Sequence, residues 1–290
     1  MEPETPTPAD GHRPVMLPAG GHRPVMLIVG GSGSIGRVVA RQAAEAGWAV
    51  AVHGRNPDKV EQALAGLAEA ADPQGRQGGA SHSGHVADLC ATGAMAALVD
   101  AAAARQGRID AVVDCTAMGR GGRVTGAFAA TEPEAYAHMA EFSFVALERL
   151  AHAALPLLTQ AKGTLVALVS DAGRFAAPRQ AIIGGARAAS IGFVRNLAME
   201  VARDGVRAHA VSLGFVDQTD IARRLAAAPE AAPETAPNTA GAERLAKARK
   251  RAGLGLPVPE DVAALVLFLC GPGALRLTGQ VISLNGGLNA

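Results

Sequence analysis

Short, uninterrupted apolar runs alternate along the chain with longer stretches in which apolar residues recur every three to four positions. The runs VMLIV (25–29), AVAVH (49–53), GHV (84–86), AVVD (111–114), TLVALVS (164–170), AHAVSL (208–213) and QVISL (280–284) predict seven strands. Their hydrophobicity is continuous, so they predict strands covered on both faces. Between them the spacing predicts helices over 35–46, 57–70, 93–106, 132–160, 182–203 and 260–270. Strand, helix and strand in succession is the βαβ unit. The pattern therefore predicts an α/β, doubly wound Rossmann-like fold with a mostly parallel seven-stranded sheet. Two regions break the rhythm. Residues 226–241, AAAPEAAPETAPNTAG, have no apolar period and predict a mobile surface loop. Residues 1–23 are Pro-rich and begin acidic, and they predict a disordered tail ahead of one folded unit spanning 24–290. Within the tail the decad GHRPVMLPAG (11–20) is nearly repeated as GHRPVMLIVG (21–30), and only the second copy runs on into a strand.

Composition narrows the function classes. With 290 residues, 49% of them hydrophobic and 18% charged, the chain can bury a large core. A formal net charge of +1 is too balanced for a polyanion-binding surface, which argues against nucleic acid as a partner. Aromatics are 3% while glycines number 35, which points to small-residue packing and tight turns. Cys90, Cys115 and Cys270 lack metal-ligand or disulfide-frame spacing, so no metal is expected, and a reducing cytoplasm fits best. No run approaches the roughly 18 apolar residues a membrane span needs, so no membrane partner is expected.

The first candidate chemistry follows the first strand. Gly30-Gly31-Ser32-Gly33-Ser34-Ile35-Gly36 opens a helix, and a Gly-rich turn there presents amide N–H groups and a helix dipole to a pyrophosphate. The bland alternative is a flexible turn. The second strand ends at His53-Gly54-Arg55-Asn56, where a dinucleotide fold meets the adenosine ribose. An acidic residue there favours NAD, whereas a guanidinium pairs with a 2′-phosphate, so Arg55 argues for NADP(H) unless it is simply a solvated surface residue. Asp88, beside Leu89, either accepts from the adenine amino group or caps the following helix.

These residues, together with a C-terminal run, resemble the short-chain dehydrogenase/reductase family from Val25 to Leu288. The specific part of the run is Pro259-Glu260-Asp261-Val262-Ala263, then Phe268-Leu269, Thr278-Gly279-Gln280-Val281-Ile282 and Gly286-Gly287. Gly30 and Gly36 match two of the family's three phosphate-loop glycines. Ser34 stands at the middle one, with Gly33 one residue early. The resemblance implies a dinucleotide-binding domain over 24–290, with Thr116 and Ala117 after the fourth strand, Gly214 and Val216 after the sixth, and Arg187 near the nicotinamide. It further implies a homo-oligomer, a dimer or tetramer formed through the long central helices and the last strand.

The resemblance also implies four catalytic residues: an Asn on the central helix, a Ser ending the fifth strand, and a Tyr and Lys spaced Tyr-x-x-x-Lys. Ser170 matches the Ser. Ile183 stands where the Tyr is expected, Arg187 where the Lys is, and Ser143 where the Asn is. Ile183 has no proton to give, and a guanidinium is neither acid nor base near neutral pH. Tyr136, the chain's one tyrosine, opens the central helix at a packing position. His138 reads as a solvated histidine and Cys115 as a small packing residue. Asp171 and Arg174 follow Ser170 on a loop expected to border the substrate, where Asp171 is the nearest carboxylate for moving a proton. A surface ion pair between the two is the plain alternative. The expectation is an NADPH-dependent reductase of a small-molecule ketone or enone, with nonstandard or substrate-assisted proton transfer. Two alternatives stay open: a non-redox enzyme such as a cyclase, dehydratase or lyase, and a catalytically silent partner. Halohydrin dehalogenases are similar in carrying Arg at the Lys position, though they keep the Tyr.

Overall fold

The computed structural model describes residues 22–68, 82–116, 123–227 and 239–289. Seven strands, β1 (Val25–Val29), β2 (Ala49–Gly54), β3 (Ser83–Val86), β4 (Ala111–Asp114), β5 (Thr164–Ser170), β6 (Arg207–Leu213) and β7 (Val281–Leu284), form one sheet in the order β3-β2-β1-β4-β5-β6-β7. Every pairing is parallel, so the sheet is wholly rather than mostly parallel. The order reverses between β1 and β4, and a crevice opens beyond their carboxyl ends, where such sheets bind ligands.

Nine helices in the described residues cover the sheet: α1 (Gly36–Glu45), α2 (Pro57–Ala68), α3 (Ala94–Gln106), α4 (Glu134–Ala140), α5 (Ala146–Ala161), α6 (Ala181–Val201), α7 (Asp220–Ala226), α8 (Thr239–Arg251) and α9 (Pro259–Cys270). Strand side chains alternate between two cores. Leu27, Val29, Val112, Leu165 and Ala167 pack with α3, α5 and α6. Met26, Ile28, Val50, Val166 and Leu168 pack with α1 and α9 on the other face. This period of two is why the central strands β1, β4 and β5 are apolar over nearly their whole length. α9 is closed at both ends by side chains. The Asp261 carboxylate accepts the Val258 amide at 2.9 Å, and the buried Arg207 guanidinium donates to the carbonyls of Leu269 and Ala274.

Several expectations change. The predicted central helix, 132–160, is interrupted by a π turn over Glu141–Val145 that joins α4 to α5. Glu134–Ala161 has a span's length and a mean hydropathy of 1.2, but Leu147, Leu150, Ala154 and Leu158 on it lie in the core. Residues 228–238 of the predicted loop lie outside the described residues. Its first residue ends α7, and its last three open α8, a helix the Ala-rich composition concealed. Residues 1–21 of the expected tail are also outside them. Arg23 is held in place, its guanidinium donating to the carbonyls of Gly47 and Trp48 at 3.1 and 2.9 Å.

Candidate active site

The turn after β1 is built on two close approaches. Gly30 has φ +75, and a Cβ there would stand 3.0 Å from the Cys115 carbonyl group at the end of β4. Gly36 is tighter still, since its Cβ would lie 2.4 Å from the Gly30 carbonyl oxygen. The Gly33 amide closes the turn on that oxygen at 3.0 Å. A backbone drawn in this closely leaves the cradle that a pyrophosphate requires. Gly33, Ser34, Ile35 and Gly36 line a cavity of about 260 Å³ that continues past Thr116, Arg187, Gly214 and Val216 to Ser170. Ser34 Oγ also accepts the Asp220 amide at 3.0 Å, tying the turn to α7.

His53, at the end of β2, joins two parts of this region. The Gly30 amide donates to His53 Nδ1 at 3.2 Å, so that nitrogen is the acceptor. Nε2 therefore carries the proton and donates to the Ala87 carbonyl at 3.1 Å. Burial is the main cause of a lowered His53 pKa, which keeps the ring neutral as these bonds require. The Ser32 amide donates to the His53 carbonyl, and the Ser32 hydroxyl lies against Gly54, where a Cβ would come within 2.1 Å of it. Arg55 follows Gly54, is exposed, and makes no hydrogen bond or ion pair among the described residues. Asp88 is exposed and accepts the Cys90 amide at 3.2 Å. It does not cap α3, which starts at Ala94 behind Gly93. Leu89 is buried in the core beside it. Ala117 lies outside the described residues.

At the far end, Ser170 ends β5 with its Oγ accepting the Ala172 amide at 3.2 Å. One lone pair is thereby occupied, and the hydroxyl proton is left to point into the cavity. Ile183 and Arg187 stand one turn apart on α6 and line the same cavity. Arg187 is only 4% exposed, and its Nη2 donates to the Thr116 carbonyl at 3.3 Å. Burial lowers its pKa, and the charge of buried Asp114 opposes that shift. Asp114 in turn accepts the Thr116 amide at 2.9 Å, and burial raises its own pKa. Arg187 therefore fixes the β4 terminus from within.

Two expected roles are not matched by the geometry. Ser143 sits in the π turn, buried, with its hydroxyl directed at the Met139 sulfur 3.8 Å away, and it does not line the cavity. Asp171 is neither a free proton carrier nor half of a surface ion pair. It is 4% exposed and accepts from Ser212 Oγ (2.6 Å), Asn285 Nδ2 (2.7 Å), Ser283 Oγ (3.2 Å) and Asn289 Nδ2 (3.4 Å). Arg174 donates instead to the Val281 carbonyl and Ser283. Asp171 thus ties β5 to β6, β7 and the C-terminal segment, with every oxygen engaged.

Beyond Ser170 the cavity widens into a second chamber of about 560 Å³, sharing Ser170, Gln180, Gly214 and Phe215 with the first. Its walls include Arg179, Arg244, Lys247 and Arg251, none of which the sequence pattern singled out. The signal was present: 244, 247 and 251 follow a three-then-four spacing that places all three on one helix face.

The enoyl-(acyl carrier protein) reductase family model matches residues 30–289. The chain is 30% identical over 257 residues to the inactive 2-(S)-hydroxypropyl-CoM dehydrogenase 2 of Xanthobacter autotrophicus, covering 87% of this chain and 100% of that one. It is 25% identical over 258 residues to a peroxisomal 2,4-dienoyl-CoA reductase of Saccharomyces cerevisiae, covering 89% and 81%. Among solved structures, a single-substitution variant of the actinorhodin polyketide ketoreductase with NADPH is similar at a TM-score of 0.78 and 26% identity, over 93% of this chain and 98% of that one.

Proposed function

This chain belongs to the short-chain dehydrogenase/reductase family of oxidoreductases, and we propose that it is an NADP(H)-dependent reductase of a small ketone or enone that works without a Tyr–Lys proton donor. The observation that carries the cofactor reading is the exposed, uncommitted Arg55 guanidinium that follows β2, next to Gly54 against which the Ser32 hydroxyl lies, a combination that suits a 2′-phosphate. The Gly30–Gly36 cradle supports a pyrophosphate beside it, with Asp88 and Leu89 at the adenine edge. Thr116, Gly214 and Val216 line the path toward Ser170.

When bound, the nicotinamide supplies the hydride chemistry, and the chain's own residues position and polarise the substrate. Ser170 donates its free hydroxyl proton to the substrate oxygen, because the Ala172 amide already occupies one of its lone pairs. Arg187 holds the Thr116 carbonyl and keeps positive charge beneath the reaction site, with no proton to lend near neutral pH. Ile183 forms an apolar wall. The proton therefore comes from an acidic group of the substrate or from water entering through the wide chamber. The chain is proposed to act as a homo-oligomer, with exposed Met199 on α6 and Phe268 on α9 available for contact.

Calorimetric titration with NADPH and NADH tests the reading. Losing a charge-assisted phosphate contact costs about 1.5–3 kcal/mol, so Arg55→Ala is expected to weaken NADPH about ten- to a hundredfold and leave NADH nearly unchanged. Equal affinity of the unmodified protein for both cofactors would reject the assignment. The absence of any proton donor at Ile183, and the likeness to a dehydrogenase named as inactive, favour one second reading. That reading is a chain which binds NADP(H) without turnover, and cofactor binding with no oxidation by any ketone, quinone or enone would select it.

A further inference from the structure

The wide chamber beyond Ser170 is unlike the cofactor cavity in its charge. Arg179, Arg244, Lys247 and Arg251 contribute four cations to its walls, against the carboxylates of Glu243 and Asp171. Asp171 is engaged by neutral donors from β6, β7 and the C-terminal segment, so its oxygens are not paired with these cations. Arg244 Nε and Nη1 are buried and have no hydrogen-bond partner among the described residues. Burial, with the charge of Arg179 nearby, lowers the Arg244 pKa. Arg179 also holds a left-handed backbone, φ +65, which a non-glycine residue adopts at a cost and which collects at ligand sites. Guanidinium nitrogens buried without a partner, beside a second guanidinium, are destabilising unless an anion completes them.

We propose that this chamber binds an anionic group of the substrate, a phosphate or a carboxylate, held by Arg244 and Arg179 while the reacting carbon lies at Ser170. The inference rests on the reading of Ser170 as the reaction site and deepens it by naming the substrate class. The chamber and the cofactor cavity meet at Ser170, Gln180, Gly214 and Phe215, so one molecule can occupy both. A neutral ester or amide of the same skeleton leaves the cations unpaired and is bound more weakly.

Calorimetry of the full chain with orthophosphate and, separately, with glutarate tests the proposal without requiring turnover. At least one anion is expected to bind at millimolar or lower concentration. Arg244→Gln is expected to weaken it at least about tenfold, as loss of one charge-assisted contact implies, whereas Arg244→Lys retains most of it. Tighter binding of phosphate assigns a phosphate-bearing substrate and tighter binding of glutarate a carboxylate. In the absence of anion, Arg244→Gln is expected to melt above the unmodified protein, because the variant no longer buries unpartnered guanidinium nitrogens beside Arg179. Failure of both anions to bind would overturn the proposal. So would binding that survives Arg244→Gln but is lost in Gly36→Ala, since it would then belong to the Gly-rich turn. A lower melting point for Arg244→Gln with unchanged anion affinity would make Arg244 structural and also overturn it. Arg244-dependent anion binding in a protein that fails to bind NADPH supports the chamber while removing the reductase reading.

Discussion

Gly36 stands so close to Gly30 that a Cβ on the former would lie 2.4 Å from the carbonyl oxygen of the latter, with the Gly31 Cα at 2.7 Å. Both obstacles are backbone, so the turn cannot give way by rotating a side chain. Gly36→Ala is expected to cost about 1–3 kcal/mol in stability by overpacking and to push the first turn of α1 off the pyrophosphate. Thermal melts should show the stability loss, and titration should show NADPH affinity falling at least about tenfold, since about 1.4 kcal/mol is that factor. A variant that binds the cofactor as tightly as the unmodified protein would disconnect this turn from the site.

His53 makes the same turn sensitive to acid. Its Nδ1 must be unprotonated to accept from Gly30, and its folded pKa lies below the ordinary 6.5, chiefly through burial, with the charges of His85 and Arg55 adding to the effect. A lowered histidine pKa contributes stability that is complete above 6.5 and lost as pH falls through the folded value. Cofactor affinity is therefore expected to decline on the acid side of that window. Gln at 53 can accept from Gly30 and donate to Ala87 without titrating, so His53→Gln is expected to flatten the decline. Parallel pH profiles of the two proteins would exclude His53 as its source.

The central strands were legible because they are apolar on both faces, and the Gly-rich turn because its position after β1 needs no distant partner. What escaped depends on contacts far along the chain. Asp171 looked like a loop carboxylate until Ser212, 41 residues on, and Asn285, 114 residues on, proved to fill its oxygens. Ser143 shared its helix face with no recognisable signal for the π turn that aims it at Met139. α8 was hidden because alanine and arginine dominate it and the preceding residues have no apolar period. Its basic face became meaningful only when it was seen to line one chamber with Arg179 and Phe215.

Asp171→Asn separates the structural role from a catalytic one. Replacing the carboxylate turns one acceptor into a donor facing donors, in a site only 4% exposed. The expected loss is about 2–4 kcal/mol, a fall in melting temperature of roughly 5–15 °C. Turnover per folded molecule, measured well below the melt, is expected to change less than about threefold. A large fall in kcat at unchanged stability would restore Asp171 as a proton group.

His209 sets a second acid limit, this one on the fold. It is fully buried in β6, and its pKa is lowered to about 4 by burial and by Arg207, against the opposing effect of the Leu277 carbonyl. Its contribution is complete above 6.5 and lost as pH falls through about 4. Denaturant unfolding of His209→Val is expected to show a shallower stability loss across that window, by on the order of 1–3 kcal/mol. Part of the slope persists through His82, whose pKa is also lowered to about 4. Identical slopes in the two proteins would show that His209 ionises as readily folded as unfolded.

The chemistry at Ser170 and Ile183 gives the last test. If Ser170 donates one hydrogen bond to the reacting oxygen, Ser170→Ala is expected to lower kcat/KM roughly ten- to a hundredfold, the value of about 1–3 kcal/mol in a site shielded from water. Ile183→Tyr introduces a phenol at the place a proton donor would occupy, yet it is expected to bring no gain. Ile183 is buried in a small cluster with Val124, Ala135 and Met139, so the larger ring overpacks its neighbours by about 1–3 kcal/mol. Arg187, one turn on, is committed to the Thr116 carbonyl, and Ser143 faces away from the cavity, so neither supports a phenol in giving up its proton. The pH profile of kcat/KM is expected to follow the ionisation of the substrate, moving when a substrate of different acidity is used and staying in place on Ile183→Tyr. A rate gain of tenfold or more from that single substitution, with a new basic limb in the profile, would mean the site lacks only a phenol, and would end the case for proton transfer assisted by substrate or solvent.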